Sequence, residues 1–178
     1  EDSSKCEDLE YDDPYDAMGG ANPRHFSAYH KRLLGWITDK QLPTVKAKDG
    51  VTTYWLSPVE TETGLKGLRV PINPGENLEP NARQSEFIIE FRQPIGYDKG
   101  LFASEDDYNG ALVHIPLKTE HQGSTFLHTP LLDMSPDGPG YSLKVGRSWT
   151  APNGKVAIKA KQVKDGRLIV EVMITGAG

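Results

Sequence analysis

The constraint that most limits this chain lies near its end. From Arg167 to Thr175 the residues alternate: Leu168, Val170, Val172 and Ile174 point to one side, and Arg167, Ile169, Glu171, Met173 and Thr175 to the other. A period of two belongs to a β-strand with one face in a core. Asp165-Gly166 separates this run from a second one at Lys155–Val163, and an Asp-Gly pair between two such runs is a strong hairpin signal. A hairpin of this kind has to cover its apolar face with another sheet or a helix. Further candidate strands are Val51–Ser57, Gly67–Ile72, Glu86–Arg92, Ala111–Leu117 and Ser142–Val145. Eighteen Gly and thirteen Pro, grouped in stretches such as Asn73-Pro74-Gly75 and Asp137-Gly138-Pro139-Gly140, punctuate the chain. About seven short strands without an intervening helical period predict a mainly β chain, with an antiparallel β-sandwich over residues 43–178.

Residues 1–42 follow a different pattern. The first ten are polar and acidic, and Tyr11 to Gly20 reads as an irregular turn between Asp-Pro and Gly-Gly that carries one buried-type residue, Met18. Asn22-Pro23 then has the form of a helix start, an N-cap followed by a first residue with no N–H to satisfy. The predicted helix runs from Pro23 to Leu34, with Phe26, Tyr29, Leu33 and Leu34 forming an apolar stripe and Lys31 and Arg32 in the last turn. Gly35 supplies a left-handed stop, and Trp36 is placed to fold back on the helix end. Leu33 and Trp36 are expected to be buried, either on the sandwich or on further polypeptide.

Composition removes several classes of function. The net charge of −5 argues against a surface that tracks phosphates, so no nucleic-acid partner is expected. The basic cluster Lys155, Lys159, Lys161, Lys164 and Arg167 sits at alternating positions and reads as a solvated strand face. No apolar run approaches the roughly 18 residues of a membrane span. The single cysteine, Cys6, has no partner within the chain, and the non-Met first residue suggests a chain that starts after processing or within a longer product.

No hydrolytic site emerges from the residues alone. The histidines are His25, His30, His114, His121 and His128, and none forms the His-Glu-x-x-His pair that turns two imidazoles toward one zinc. His25 and His30 are five residues apart, roughly 140° around a helix. There is no Gly-x-Ser-x-Gly elbow, and Cys6 lies among acidic residues that raise a thiol pKa. The acidic clusters Asp12, Asp13, Asp16 and Glu105, Asp106, Asp107 offer oxygen ligands for calcium, but without the spacing of a calcium hand they read first as solvated loop carboxylates.

One stretch nevertheless resembles a known family. Glu10-Tyr11-Asp12-Asp13-Pro14-Tyr15-Asp16-Ala17-Met18-Gly19, then His25-Phe26-Ser27-Ala28 and His30-Lys31-Arg32-Leu33-Leu34-Gly35-Trp36, is similar to a segment of gametolysin-like metallopeptidases, a group of metzincins. Downstream, Phe87-Ile88-Ile89-Glu90-Phe91-Arg92-Gln93-Pro94-Ile95-Gly96-Tyr97-Asp98, Gly110-Ala111-Leu112-Val113-His114, Leu131-Leu132-Asp133 and Leu143-Lys144-Val145-Gly146 resemble the β-rich region that follows the catalytic domain in bacterial relatives. The resemblance implies that residues 1–42 close a catalytic domain and that 43–178 form an accessory sandwich. Met18 and Gly19 match the Met-turn beneath the metal in that family, while the zinc histidines and the catalytic glutamate have no counterpart here.

The function implied is that of the carboxy-terminal part of a secreted zinc metalloendopeptidase. It would support the zinc site from below and offer a scaffold or substrate exosite, without being catalytic alone. Zinc is then expected in the complete protease, none in this chain, with calcium as a further candidate ion. Tyr11, Tyr15, Met18, Phe26 and Trp36 are expected to form an exposed docking surface, for an upstream segment carrying the zinc motif or for self-association. Protein or glycan substrates would be extracellular. The alternative is a non-enzymatic extracellular sandwich that binds protein or carbohydrate, for which Trp55, Tyr54, Trp149, Tyr108 and Tyr141 are the available aromatics.

Overall fold

In a computed structural model, residues 13–19, 23–46, 48–76, 85–101, 108–121, 124–134 and 141–176 are described. The chain is mainly β. Among the described residues, the helix α1 (Ala28–Leu33) precedes ten strands: β1 (Gly50–Leu56), β2 (Gly67–Pro71), β3 (Glu86–Glu90), β4 (Gly110–His114), β5 (Leu117–His121), β6 (Ser124–His128), β7 (Leu143–Lys144), β8 (Ser148–Thr150), β9 (Val156–Lys164) and β10 (Arg167–Ile174). A 3-10 turn at Gly96–Asp98 lies between β3 and β4. The strands form two antiparallel four-stranded sheets, ordered β1-β10-β9-β8 and β2-β3-β4-β7, and β5 and β6 make a separate hairpin.

The alternating runs drive this arrangement. Leu168, Val170, Val172 and Ile174 of β10 are buried together with Val156, Ile158 and Ala160 of β9 and Leu56 of β1. They form one cluster with Leu68, Val70, Phe87, Ile89, Ala111, Val113 and Leu143 from the other sheet. Two sheets that share one apolar layer make a sandwich, and burying that layer is its main stabilisation. The β9–β10 turn has both Asp165 and Gly166 at positive φ, 51° and 69°, as a two-residue hairpin turn with the twist of its strands requires. The residues of the basic cluster from Lys159 to Arg167 are exposed, and Lys155 is half-buried.

The outer face of the β2-β3-β4-β7 sheet is covered by the amino-terminal segment. Ala28, Ile37 and Leu42 join Val59 and Ile88 in a second, smaller cluster, with Tyr29 against it. Residues 41–45 run beside β2, where Val45 N–H donates to the Arg69 carbonyl at 2.7 Å and Arg69 N–H to the Pro43 carbonyl at 2.9 Å.

The helix is shorter than its sequence pattern implies. Pro23 to Ser27 is not helical, and the N-cap is Ser27, whose hydroxyl accepts from His30 N–H at 3.3 Å. Backbone N–H groups in that stretch bind carboxylates instead, His25 donating to Asp98 and Ser27 to Asp16, and Ala28 at the start of α1 donates to Glu90. The predicted stop is present. Trp36 N–H donates to the Lys31 carbonyl at 2.8 Å and Gly35 N–H to the Arg32 carbonyl at 3.0 Å, with Gly35 at φ 74°. That pair of bonds is a Schellman closure.

The sandwich does not cover Leu33 and Trp36, which are 46% and 62% exposed. The helix docks through Ala28, Tyr29 and Lys31 rather than through its carboxy-terminal leucines. Leu33→Ala is therefore expected to change stability by no more than about 0.5 kcal/mol. Leu168→Ala, in the centre of the sandwich, is expected to cost about 2–5 kcal/mol. Chemical denaturation of the two variants would check the contrast, and equal losses would contradict it.

Candidate functional site

The turn at residues 13–19 is built by carboxylates. Asp16 N–H donates to the Asp13 carbonyl at 3.4 Å and Gly19 N–H to the Asp16 carbonyl at 3.0 Å, which gives two successive turns. Asp13 Oδ1 accepts from Tyr15 N–H at 2.8 Å, and Asp16 Oδ1 from Met18 N–H at 2.9 Å. These are Asx-type bonds, in which a short carboxylate side chain replaces a backbone partner two residues along. Gly19 is required sterically: a Cβ there would sit 2.0 Å from the Asp13 carbonyl oxygen. Met18 is the residue this frame presents outward, at 51% exposure.

The expectation that Asp13 and Asp16 are solvated is overturned, since both are buried. Asp16 Oδ2 accepts from Ser27 N–H at 3.0 Å and from His30 Nδ1 at 2.7 Å, tying the turn to the start of α1. Burial alone would raise the Asp16 pKa. The bonds from His30, Met18 and Ser27 outweigh it and hold the carboxyl far below its ordinary range.

Beneath the turn, the outer face of the sheet carries a chain of buried charges. His114 on β4 lies between Asp13 and Glu90, with Nδ1 3.1 Å from Asp13 Oδ2 and Nε2 3.4 Å from Glu90 Oε1. Glu90 on β3 accepts from Arg92 Nε at 2.8 Å, and its other oxygen accepts from Ala28 N–H at 2.6 Å. Arg92 Nη1 donates to Asp98 Oδ2 at 2.9 Å and to the His25 carbonyl at 3.1 Å. Glu60, on the loop after β1, faces Asp98 and accepts from Gln93 N–H at 3.2 Å. Lys31 Nζ donates to the Val59 carbonyl at 2.7 Å beside this group.

Each shift has a balance of causes. Burial disfavours the His114 imidazolium, but the charges of Asp13 and Glu90 prevail and push its pKa up to about 10. Burial would raise Glu90, yet Arg92 and His114 bring it down to about 2. Glu60 is pushed up to about 8, because burial and a hydrogen bond to Asp98 both favour its protonated form. Burial, with Lys31 nearby, lowers Lys66 to about 8, where its ammonium is held by the Pro58 and Thr63 carbonyls and the Thr61 hydroxyl.

The predicted site residues separate. Met18 and Trp36 are exposed, Phe26 is half-buried with its ring edge-to-face on Trp36 at 5.5 Å, and Tyr15 is buried at 6% exposure against Tyr141. Tyr15 therefore does not belong to an exposed docking surface. Tyr11, Cys6, Asp12 and the Glu105–Asp107 cluster lie outside the described residues. Among the described residues no group of three or more His, Cys, Asp and Glu is arranged to hold a metal ion. The donors of this network do not fit zinc, because His30 Nδ1 and both His114 nitrogens face carboxylates and Asp13 and Asp16 hold backbone N–H groups. No helix among the described residues is long and apolar enough to cross a membrane.

Sequence reading had missed Glu90, Arg92, Asp98, Glu60 and His114. The available signal was a Glu and an Arg within and just after an otherwise apolar run, Phe87-Ile88-Ile89-Glu90-Phe91-Arg92, placing two charges on one strand face. Comparisons with protein families, curated proteins and solved structures gave no match for this chain.

Two expectations follow. Gly19→Ala should cost about 1–3 kcal/mol, as for other insertions into a packed position, and should loosen the turn; an unchanged melting temperature would contradict the close approach. The pH dependence has a definite sign. Glu60 and His114 hold a proton more tightly in the folded state than their ordinary values of 4.5 and 6.5. Their contributions are complete below those values and disappear as pH rises through about 8 and about 10. Glu90 acts oppositely, its contribution disappearing as pH falls from 4.5 through about 2. Lys66 opposes the alkaline decline between about 8 and 10.5. Thermal melts should therefore be most stable in mildly acidic buffer, and Glu60→Gln should flatten the fall between pH 4.5 and 8. A parallel profile in that variant would refute the assignment.

Proposed function

We propose that this chain is the carboxy-terminal part of a secreted zinc metalloendopeptidase of the gametolysin-like type. Residues 13–36 form the floor beneath a zinc site supplied by further polypeptide, and the sandwich carries that floor. The supporting observation is the turn at Asp13 to Gly19. Its backbone is clamped by two buried carboxylates and a sterically required glycine, and the side chain it presents, Met18, is left uncovered. A frame this well anchored around an exposed thioether is suited to pack against another element. Phe26 and Trp36, in edge-to-face contact, and Leu33 and Leu34, all half-buried or exposed, offer further apolar contact from the same segment. A Met-turn methionine acts through packing beneath metal ligands, without ligating the ion itself.

In this reading the chain alone holds no stoichiometric zinc and cleaves no peptide, since no two of its histidines have the His-Glu-x-x-His spacing. The complete protease cleaves extracellular proteins, and the sandwich serves as scaffold or exosite.

The test uses Met18→Ser in two contexts. In the isolated chain the substitution should leave stability within about 0.5 kcal/mol, because the side chain is exposed. In the longest natural polypeptide containing this chain, it should weaken zinc retention or casein cleavage about 10–100-fold, the range for groups that support metal ligands. Absence of a His-Glu-x-x-His segment and of chelator-sensitive cleavage in that polypeptide would sink the proposal and favour a non-enzymatic binding module.

A further inference from the structure

The charge of this chain is unevenly placed. Residues 141–178 carry seven Lys and Arg against two Asp and Glu, whereas the other 140 residues carry thirteen against 23. Screening over about 8–10 Å keeps the acidic remainder from cancelling a local basic field. The net charge of −5 therefore does not describe every surface of the molecule.

Strand pairing gathers basic side chains on the outer face of the β1-β10-β9-β8 sheet. Residues opposed across a ladder share a face, so one row runs Thr53, Glu171, Lys159, Ser148 and the next Trp55, Ile169, Gln162. Arg167 and Lys164 are paired at the hairpin end of the same face, with the Arg167 guanidinium 4.6 Å from the centre of the Trp55 ring. Lys161 is the extra residue of a bulge in β9, and its ammonium reaches Glu171 on this face at 2.7 Å. Lys159, Lys161, Lys164 and Arg167 are all exposed, and among the described residues Lys159 and Lys164 have no ion-pair partner. From Lys159 to Lys164 the cations extend over roughly 15 Å of strand. Glu171 and the turn residue Asp165 are the carboxylates beside them.

We propose that this face binds an anionic polysaccharide, a sugar chain bearing sulfate or carboxylate groups. Charge complementarity requires a polyanion, and the neighbours of the cations select its kind. Trp55, 36% exposed, sets an indole beside the Arg167 guanidinium, so a sugar ring can rest on apolar surface while its acidic group meets a cation. Exposed Thr53, Gln162 and Ser148 lie among the cations and offer hydrogen bonds to sugar hydroxyls. A protein partner would call for an apolar centre with charge at the rim. Here Glu171, Lys159 and Lys161 hold the centre, and the exposed Val51 and Met173 lie toward the β1 border. A single-stranded nucleic acid would call for successive aromatic platforms, and Trp55 is the one aromatic in these rows, with a guanidinium over its ring.

This face belongs to a different sheet from the one beneath the Met18 and Trp36 segment, so binding here is independent of the protease reading. Equilibrium titration of the chain with heparin and with polygalacturonate at low ionic strength should show saturable binding of at least one, with log Kd rising linearly with log salt, and no binding of neutral dextran. Lys159→Glu with Lys164→Glu should weaken that binding about tenfold or more and flatten its salt dependence. Lys40→Glu with Lys99→Glu, the same charge change at exposed lysines elsewhere, should alter it less than about threefold. Trp55→Ala should weaken it about fivefold without flattening the salt dependence. Binding of neither polysaccharide, equal losses in the two double variants, or unaltered affinity in Trp55→Ala would overturn the proposal. So would tighter binding to polyglutamate, to a single-stranded oligonucleotide or to phosphatidylserine vesicles than to either polysaccharide. Retained circular dichroism in each variant separates lost binding from lost folding.

Discussion

The buried ionic chain on the outer face of the β2-β3-β4-β7 sheet is the interaction on which the rest of this molecule depends. Glu90, Arg92, Asp98 and His114 have almost no solvent exposure, and charges in that position persist only when each is paired and hydrogen-bonded. Here the partners come from separate parts of the chain: Asp13 from the turn, the His25 carbonyl and Ala28 N–H from the approach to α1, and Glu60 from the loop after β1. An apolar layer would tolerate many positions of a covering segment. Directional bonds to fixed charges select one, so the network sets where the amino-terminal segment lies even where its net contribution to stability is modest.

That specificity accounts for the form of the candidate site. Residues 13–36 make little apolar contact with the sheet, chiefly through Ala28 and Tyr29. Their apolar side chains at Met18, Leu33, Leu34 and Trp36 remain outside. The segment is thus held by polar chemistry on its inner side while its outer side presents hydrophobic surface. A support that must keep a fixed shape while offering a packing face to another element has this division. The two sheets differ in the same sense: one has its outer face covered by the amino-terminal segment, and the other leaves a charged outer face to solvent.

The sandwich was legible because its signals are local and periodic. Leu168, Val170, Val172 and Ile174 identify a core face without knowledge of what they pack against, and Asp165-Gly166 specifies its own turn through the backbone freedom of those two residues. The Gly35 helix stop was readable for the same reason. Short elements were not. Strand β8 gains its conformation from pairing with β9, and the β5–β6 hairpin was not expected past Leu117, because Lys118 to Ser124 carries no apolar alternation. The helix start was misplaced because Asn22-Pro23 satisfies a local rule, while the N–H groups that follow had stronger partners in Asp98 and Glu90, residues more than sixty positions away.

What the sequence determined by itself was therefore the sheet-forming pattern, the principal hairpin, the position of the helix stop and an unusual Met-Gly turn. Only the tertiary structure decided which carboxylates are buried. Asp13 and Asp16 look like solvent-facing loop acids until His114 and His30 are brought beside them, and Glu90 looks like one polar residue in a strand until Arg92, His114 and Ala28 surround it. A charge is stable in a protein interior only through partners, and those partners converge in space from positions with no regular spacing along the chain.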